Sequence, residues 1–340
     1  METGYPPDLS TVARCFADAR EFPSSPLYRA LARTVAGNAA LLRLAARGQP
    51  GQYPTFLFFG AVHALLLAGA DHELARYYPS LAGANALPPD AAGPALVAFC
   101  AAYEAELAAL IETRLVQTNV VKRALAFWLG LAALGRQVAR PVHLIEIGAS
   151  AGLLLRFDRY GYRLGGRHFG DPGSPVQIAA EWRSDRAVPD LDRLPPLASV
   201  TGVDLHPLDA RDAADRRWLE ALVWPENRHE ADLLRHALAI VAADPPALRA
   251  GDAIDVCPAI ARELPPGEPR VVFHAVTRLH VPADRLTAFD AAIATLGENA
   301  PLYWLSFEGQ GALDLRDPSD ALSHLATVEG HLEWVQPRER

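Results

Sequence analysis

Residues 142–152 read VHLIEIGASAG, an apolar run that ends in Glu146 and then places Gly148, Ser150 and Gly152 at alternate positions. Taken as Gly148-x-Ser150-x-Gly152, this is a nucleophile elbow, a sharp strand-to-helix turn that presents a serine hydroxyl to an acyl group. Taken from Glu146, it is the acidic, glycine-spaced loop of a nucleotide-binding βα turn, where small residues let backbone approach a ligand and free N–H groups at a helix start point toward it.

The two readings make different demands on the rest of the chain. An esterase needs a histidine and an acid, and Ser150, Asp252 and His274 or His280 supply them in chain order. It also needs an oxyanion loop and strands upstream of the elbow, which residues 1–140 do not offer. A nucleotide site needs acids at the ends of later strands. Asp204 closes SVTGVD, where a carboxylate accepts ribose hydroxyls, and Asp252 follows LRAG, within reach of the amine of an adenine. Asp204 lies much further along the chain than the roughly 20 residues of a simple βαβ unit. A hairpin inserted near 161–183 accounts for the difference; otherwise Glu181, at the end of VQIAAEW, is the second-strand acid.

Each residue also has an ordinary structural role open to it. Glu146 and Asp252 suit helix caps or solvated turns, and Asp204 a turn beside Pro207. His274 and His280 suit hydrogen-bonded structural positions. Asn119 and Arg123 fall four apart, on one helical face that solvent alone can satisfy. HEADLLRH (229–236) lacks the histidine pair four apart of a zinc helix, and no metal site is expected.

The elements that must position these groups divide at Pro141. Before it, apolar residues recur at helical spacing: Leu27, Leu31 and Val35, then Phe99, Tyr103 and Leu107, then Val121, Leu125 and Trp128. GQPGQYP and LPPDAAGP break this helical part, and no strand signal appears in it. After Pro141, short apolar runs alternate with helical segments, the pattern of a mostly parallel sheet with crossovers. The expected organisation is a helical domain or cap over 1–138 and an α/β domain over 139–340.

Composition narrows the class. The 340 residues are half apolar and carry a formal charge of −8 without a basic run, so a nucleic-acid partner is not expected. Lys122 is the only lysine, so the many arginines reflect coding bias as much as function. Three scattered cysteines do not form a disulfide framework. No basic-then-apolar leader opens the chain, and the run from Phe56 to Ala70 is interrupted by His63, so a soluble cytoplasmic protein without a membrane span is expected.

On these residues the chain resembles a class I S-adenosylmethionine-dependent methyltransferase. IEIGASAG is similar to the first motif of that class, VTGVDLHP to its ribose-binding strand end, LRAGDAID to its adenine-side turn and VVFHAVTRLHVP to its fourth strand. More narrowly, SPLYRALA, TNVVKR, EIGASAGLLLRFDRYGY and GVDLHPLDARDAADRRWLEALVWPE resemble a bacterial family, domain of unknown function 2332, nearly end to end. That family has Thr-Asn-Glu where this chain has Thr118-Asn119-Val120, and Asn where it has Leu154.

The resemblance implies a Rossmann-like α/β sheet and S-adenosyl-L-methionine as cofactor, held by Glu146, Gly148, Ser150, Gly152, Asp204, Asp252 and Ala253. It further implies a small-molecule acceptor near Asn119, Arg123 and His274, with His280 as the base. Asn119, Arg123 and His280 are expected to converge between the cap and the strand ends. A methyltransferase-like protein that binds a nucleotide or a partner without turnover remains the alternative, with the Ser150 esterase as a third.

Overall fold

The computed structural model describes residues 8–18, 22–308 and 311–338. Before Val142 the described residues form helices and no strand: α1 (Leu9–Ala17), α2 (Pro26–Ala36), α3 (Ala39–Ala45), α4 (Pro54–Leu67), α5 (Pro79–Ala82), α6 (Gly93–Ala102), α7 (Glu104–Thr113) and α8 (Ala124–Gly135). Their starts follow from local chemistry. The side chains of Asp8, Ser25 and Asn38 accept N–H groups of the first turns of α1, α2 and α3, and Pro26 and Pro54 open α2 and α4 with the fixed φ a helix start tolerates.

The chain folds into two compact units, residues 1–118 with 212–235, and residues 119–211 with 236–340. The first is built round α4, whose apolar residues run right round the helix, so it is buried nearly throughout. Phe16 packs edge-on against Phe58 and Phe59 at 5.7 and 5.6 Å, and Tyr28 stacks on Phe59 at 4.6 Å. Helix α9 (Ala213–Ala221) and the start of α10 (Arg228–Ala243) belong to this unit. Trp218 is buried there and donates its indole N–H to Leu115 O at 2.8 Å.

The second unit holds a mixed α/β, mostly parallel sheet of eleven strands among the described residues. They are β1 (Val142–Ile147), β2 (Gly161–Leu164), β3 (Arg167–Gly170), β4 (Gln177–Trp182), β5 (Leu197–Asp204), β6 (Ala247–Ala250), β7 (Arg270–Ala275), β8 (Leu302–Glu308), β9 (Ala312–Arg316), β10 (Leu322–Val328) and β11 (Trp334–Pro337). The order is β3-β2-β4-β11-β10-β9-β8-β7-β1-β5-β6, with β6, β5, β1, β7 and β8 all parallel. Residues 161–183 add three strands, where the sequence suggested two: β2 and β3 form the hairpin, and β4 runs parallel to β2 and pairs with β11.

Strand β1 is buried along its whole length. Alternation sends Ile145, Ile147 and Val272 into a core with α11 (Ala253–Glu263) and α12 (Leu286–Ala294). Phe273, of opposite parity, stacks at 4.2 Å on Phe127 of α8. Glu146 pairs in register with Phe273 and shares that second face. Gly130 lets α8 lie flat on the sheet, since a Cβ there would stand 2.2 Å from Leu305.

Candidate functional site

Strand order reverses about β1: β5 and β6 continue on one side, β7 and β8 on the other. Ligands of such sheets bind outside the carboxyl ends of the strands at this switch point. The loops that meet there are Gly148–Gly152 after β1, the turn after Asp204 in β5, and Val276–His280 after β7. Of the four non-glycine residues with positive φ among the described ones, Ser150 (φ 50°) and Val276 (φ 58°) sit in two of these loops. A β-branched residue in that region is strained, and such strain gathers at functional sites.

The β1 loop is folded down onto β5. Gly148 N and Ala149 N both donate to Val203 O (2.8 and 3.1 Å), Ser150 N to Asp204 Oδ2 (2.8 Å) and Gly152 N to Ala149 O (2.7 Å). These N–H groups are therefore engaged within the chain, where the sequence suggested free donors. The segment after the loop, Leu154–Arg159, is a kinked 3-10 turn and not a helix. The Tyr160 and Tyr162 hydroxyls donate to Leu153 O and Phe157 O, each at 2.7 Å, beside the backbone bonds those carbonyls accept from Arg156 N and Tyr160 N. Gly202 makes the close approach possible: a Cβ there would lie 2.5 Å from Leu248 and 2.7 Å from Ala149.

Under this loop Glu146 is 3 % exposed, and its Oε2 has no hydrogen-bond partner among the described residues. Burial first, and the charge of Asp204 second, hold its carboxyl well above the usual carboxylate range. Asp204 accepts Ser150 N on one oxygen and His206 N on the other (2.8 and 2.9 Å), so it organises the turn at which it stands. Asp252 caps α11 through Ile254 N at 2.9 Å and pairs with Arg285 at 2.8 Å, and Ala253 is buried behind it. Glu181 lies in β4, on the other side of the sheet, bound to Arg183. Of the two candidate acids, Asp204 is the one beside the loop.

Asn119 and Arg123 were expected on one helical face. Instead Asn119 precedes a 3-10 turn, Val121–Arg123, that leads into α8. Asn119 Nδ2 donates to Ser150 Oγ at 3.0 Å. Arg123 lies 5.9 Å over the Phe307 ring, and its Nε donates to Gly330 O at 3.4 Å. Burial brings its pKa down to about 10, against the raising effect of Glu308 and Glu329. His280 is exposed at the end of the β7 loop. Partial burial of the ring lowers its pKa from 6.5, Glu308 works against that, and Arg123 adds to it. The charges of Glu308 and Arg123 thus both reach His280, and that of Glu308 reaches Arg123.

His274 is 1 % exposed. Its Nε2 accepts the Trp304 indole N–H at 2.8 Å, which leaves the ring proton on Nδ1, donated to Glu308 Oε1 at 2.7 Å. A neutral, doubly bonded imidazole orients Glu308 and is not available as a base. Sequence reading missed Glu308, although it ends β8 as Glu146, Asp204 and Asp252 mark other strand ends, and the same rule applied to PLYWLSFEG finds it.

Ser150 Oγ has Asn119 as its side-chain partner and no histidine among the described residues. A serine nucleophile needs a histidine nitrogen within about 2.6–3.2 Å, so the esterase arrangement is not assembled. Ser150→Ala is accordingly expected to leave the slow background hydrolysis of p-nitrophenyl acetate unchanged. A loss approaching the roughly million-fold seen when a serine nucleophile is removed would restore the elbow.

The fold and this site define an α/β protein with its acids and histidine gathered at the carboxyl ends of parallel strands. The chain belongs to an uncharacterised protein family conserved in bacteria, domain of unknown function 2332, which it matches over residues 11–336. No curated protein and no solved structure matches it. Among the described residues no single helix is long and apolar enough to cross a membrane, and no cluster of His, Cys, Asp and Glu is arranged to hold a metal ion.

Proposed function

We propose that the chain is an S-adenosylmethionine-dependent methyltransferase acting on a small molecule, built on a Rossmann-like sheet of the class I methyltransferase type. The observation that carries this reading is the buried Glu146 carboxyl, whose Oε2 has no partner among the described residues, beside a glycine-spaced loop at the switch point. Such a group is costly in the free chain and suits a ligand that brings a donor or a positive charge. The strand order agrees: numbered along the chain, β1, β5, β6, β7 and β8 lie as 3-2-1-4-5.

When bound, the cofactor supplies a sulfonium methyl already activated for transfer, which leaves the protein to align donor and acceptor and to take up a proton. Glu146 would hold the cationic end, Asp204 the ribose hydroxyls, and Asp252 with Ala253 the adenine edge. His280, whose lowered pKa keeps it neutral near pH 7, would receive the acceptor's proton. A binding protein without turnover is the second reading, favoured by the engagement of the loop N–H groups within the chain.

Calorimetric titration with S-adenosylhomocysteine tests the proposal. Asp204→Ala is expected to weaken binding by about 1.5–3 kcal/mol, the range for hydrogen bonds to a charged group. Because Asp204 also holds Ser150 N and His206 N, the variant's melting curve is recorded alongside. Wild-type protein that takes up no ligand at millimolar concentration would remove the cofactor from the proposal.

A further inference from the structure

Glu308 ends β8 with its two carboxylate oxygens in different states among the described residues. Oε1 accepts three donors: His274 Nδ1 at 2.7 Å, Thr277 N at 2.7 Å and Arg278 N at 2.8 Å. Oε2 is buried and has no partner among the described residues. The three bonds fix the plane of the carboxylate and favour its charged form: burial alone would raise its pKa, but they bring it below the usual range. A fixed, ionised carboxylate with a buried oxygen lacking a donor is incomplete. Its surroundings are those of the switch-point crevice. Strained Val276 begins the adjoining loop, Thr277 Oγ1 ties that loop to Ile147 O at 3.1 Å, and Leu279, 53 % exposed, stands beside His280.

We infer that Glu308 Oε2 receives an O–H or N–H donor of the substrate, so that the acceptor is an alcohol, a phenol or an amine and not a carboxylic acid. A carboxylate brings no donor and would meet like charge at this oxygen. A neutral or cationic acceptor completes the hydrogen bonding of Glu308. Since Oε2 is closed to water in the free chain, binding includes displacement of a neighbouring side chain. Glu308 acts here as a positioning residue. The inference rests on the methyltransferase reading for the identity of the cofactor, but not for the chemistry of the acceptor site.

The probes are benzyl alcohol, benzylamine and benzoate, which share a ring and differ in the group offered. Saturation-transfer NMR is recorded on wild-type protein and on Glu308→Gln, which keeps an oxygen for the three internal donors and turns an amide NH2 to the place of Oε2. Benzyl alcohol and benzylamine are expected to bind the wild type and to lose roughly ten-fold in affinity in the variant, as for one charge-assisted bond, while benzoate binds neither protein. Equal binding of benzoate, no change in the variant, or no binding by any probe would overturn the inference. Should Glu308→Gln fold poorly, Glu308→Asp, which withdraws the carboxylate by one methylene, carries the same expectations. Both proteins are also titrated with S-adenosylhomocysteine, for which wild-type affinity is expected in the variant. Failure of that titration with Glu308-dependent probe binding intact removes the cofactor alone; the converse removes this inference alone.

Discussion

Arg270→Met is expected to lower the melting temperature by roughly 5–15 °C, from a loss of about 2–4 kcal/mol. Arg270 opens β7 with no exposed surface. Its guanidinium donates to Leu296 O at 2.8 Å and, at longer range, to Ala261 O and Leu264 O (both 3.3 Å) and Pro265 O (3.5 Å). These are carbonyls at the end of α11 and beyond α12, the groups that helix ends leave without partners. One side chain thus ties both helices to the sheet. A buried cation is costly, and replacing a whole ion pair by apolar residues often stabilises. Here the substitution removes the donor only and leaves the carbonyls buried, which decides the sign. Arg270→Lys, with its charge kept but its fork lost, is expected to fall between the two. Differential scanning calorimetry on the three proteins measures this, and a Met variant that melts with the wild type would show that the carbonyls find other donors.

Nothing in RVVFHAV marks this arginine as buried, because an arginine before an apolar run is ordinarily a solvated strand end. The change of element type at Val142 is legible, since helical and alternating apolar periods differ over many residues; that residues 212–235 join the first compact unit is not. Alternation also places Glu146 opposite Ile145 and Ile147 once β1 is known to be a strand. Segments decided by distant partners are not legible. LLRFDR has helical character, yet it forms a kinked 3-10 turn, where the carbonyls of Leu153 and Phe157 also receive the hydroxyls of Tyr160 and Tyr162, from the strand that follows and the residue before it. ALDLR is only five residues long and forms β9 because β8 and β10 flank it. LATVEGHLEWV spans two strands, with Leu332 at φ 58° in the turn between them.

At the site, the strand-end acids are visible in the sequence and their partners are not. That Asp204 stands near Ser150 depends on the pairing of β1 with β5, across an insertion that makes the chain distance misleading. That His274 is a positioning group depends on Trp304 and Glu308, which reach it only because β7 pairs with β8. Composition does not encode either pairing. Gly202 is equally silent as a letter in VTGVD, although the loop could not lie on β5 without it.

Glu146→Gln is expected to stabilise the free protein by an amount that grows with pH. The folded chain holds the Glu146 carboxyl protonated to well above its usual range, through burial and then the charge of Asp204. The unfolded chain ionises it near the reference value of about 4.3. Between those two values the folded state binds the extra proton, so raising the pH favours unfolding, with a slope of at most about 1.4 kcal/mol per pH unit. Below the unfolded value the neutral carboxyl carries no such penalty, and above the folded value the loss is complete. Glutamine has the same shape and no proton to lose, so its melting curve should match the wild type near pH 4 and lie progressively above it toward pH 8. Parallel curves across that range would mean that Glu146 is ionised and partnered in the fold. The same substitution should weaken S-adenosylhomocysteine binding, because an amide cannot acquire the charge that a cationic ligand end would draw from Glu146. Gain in stability with loss of affinity is the pattern of a residue kept for its ligand, since the buried acid costs the free chain stability that only binding can return.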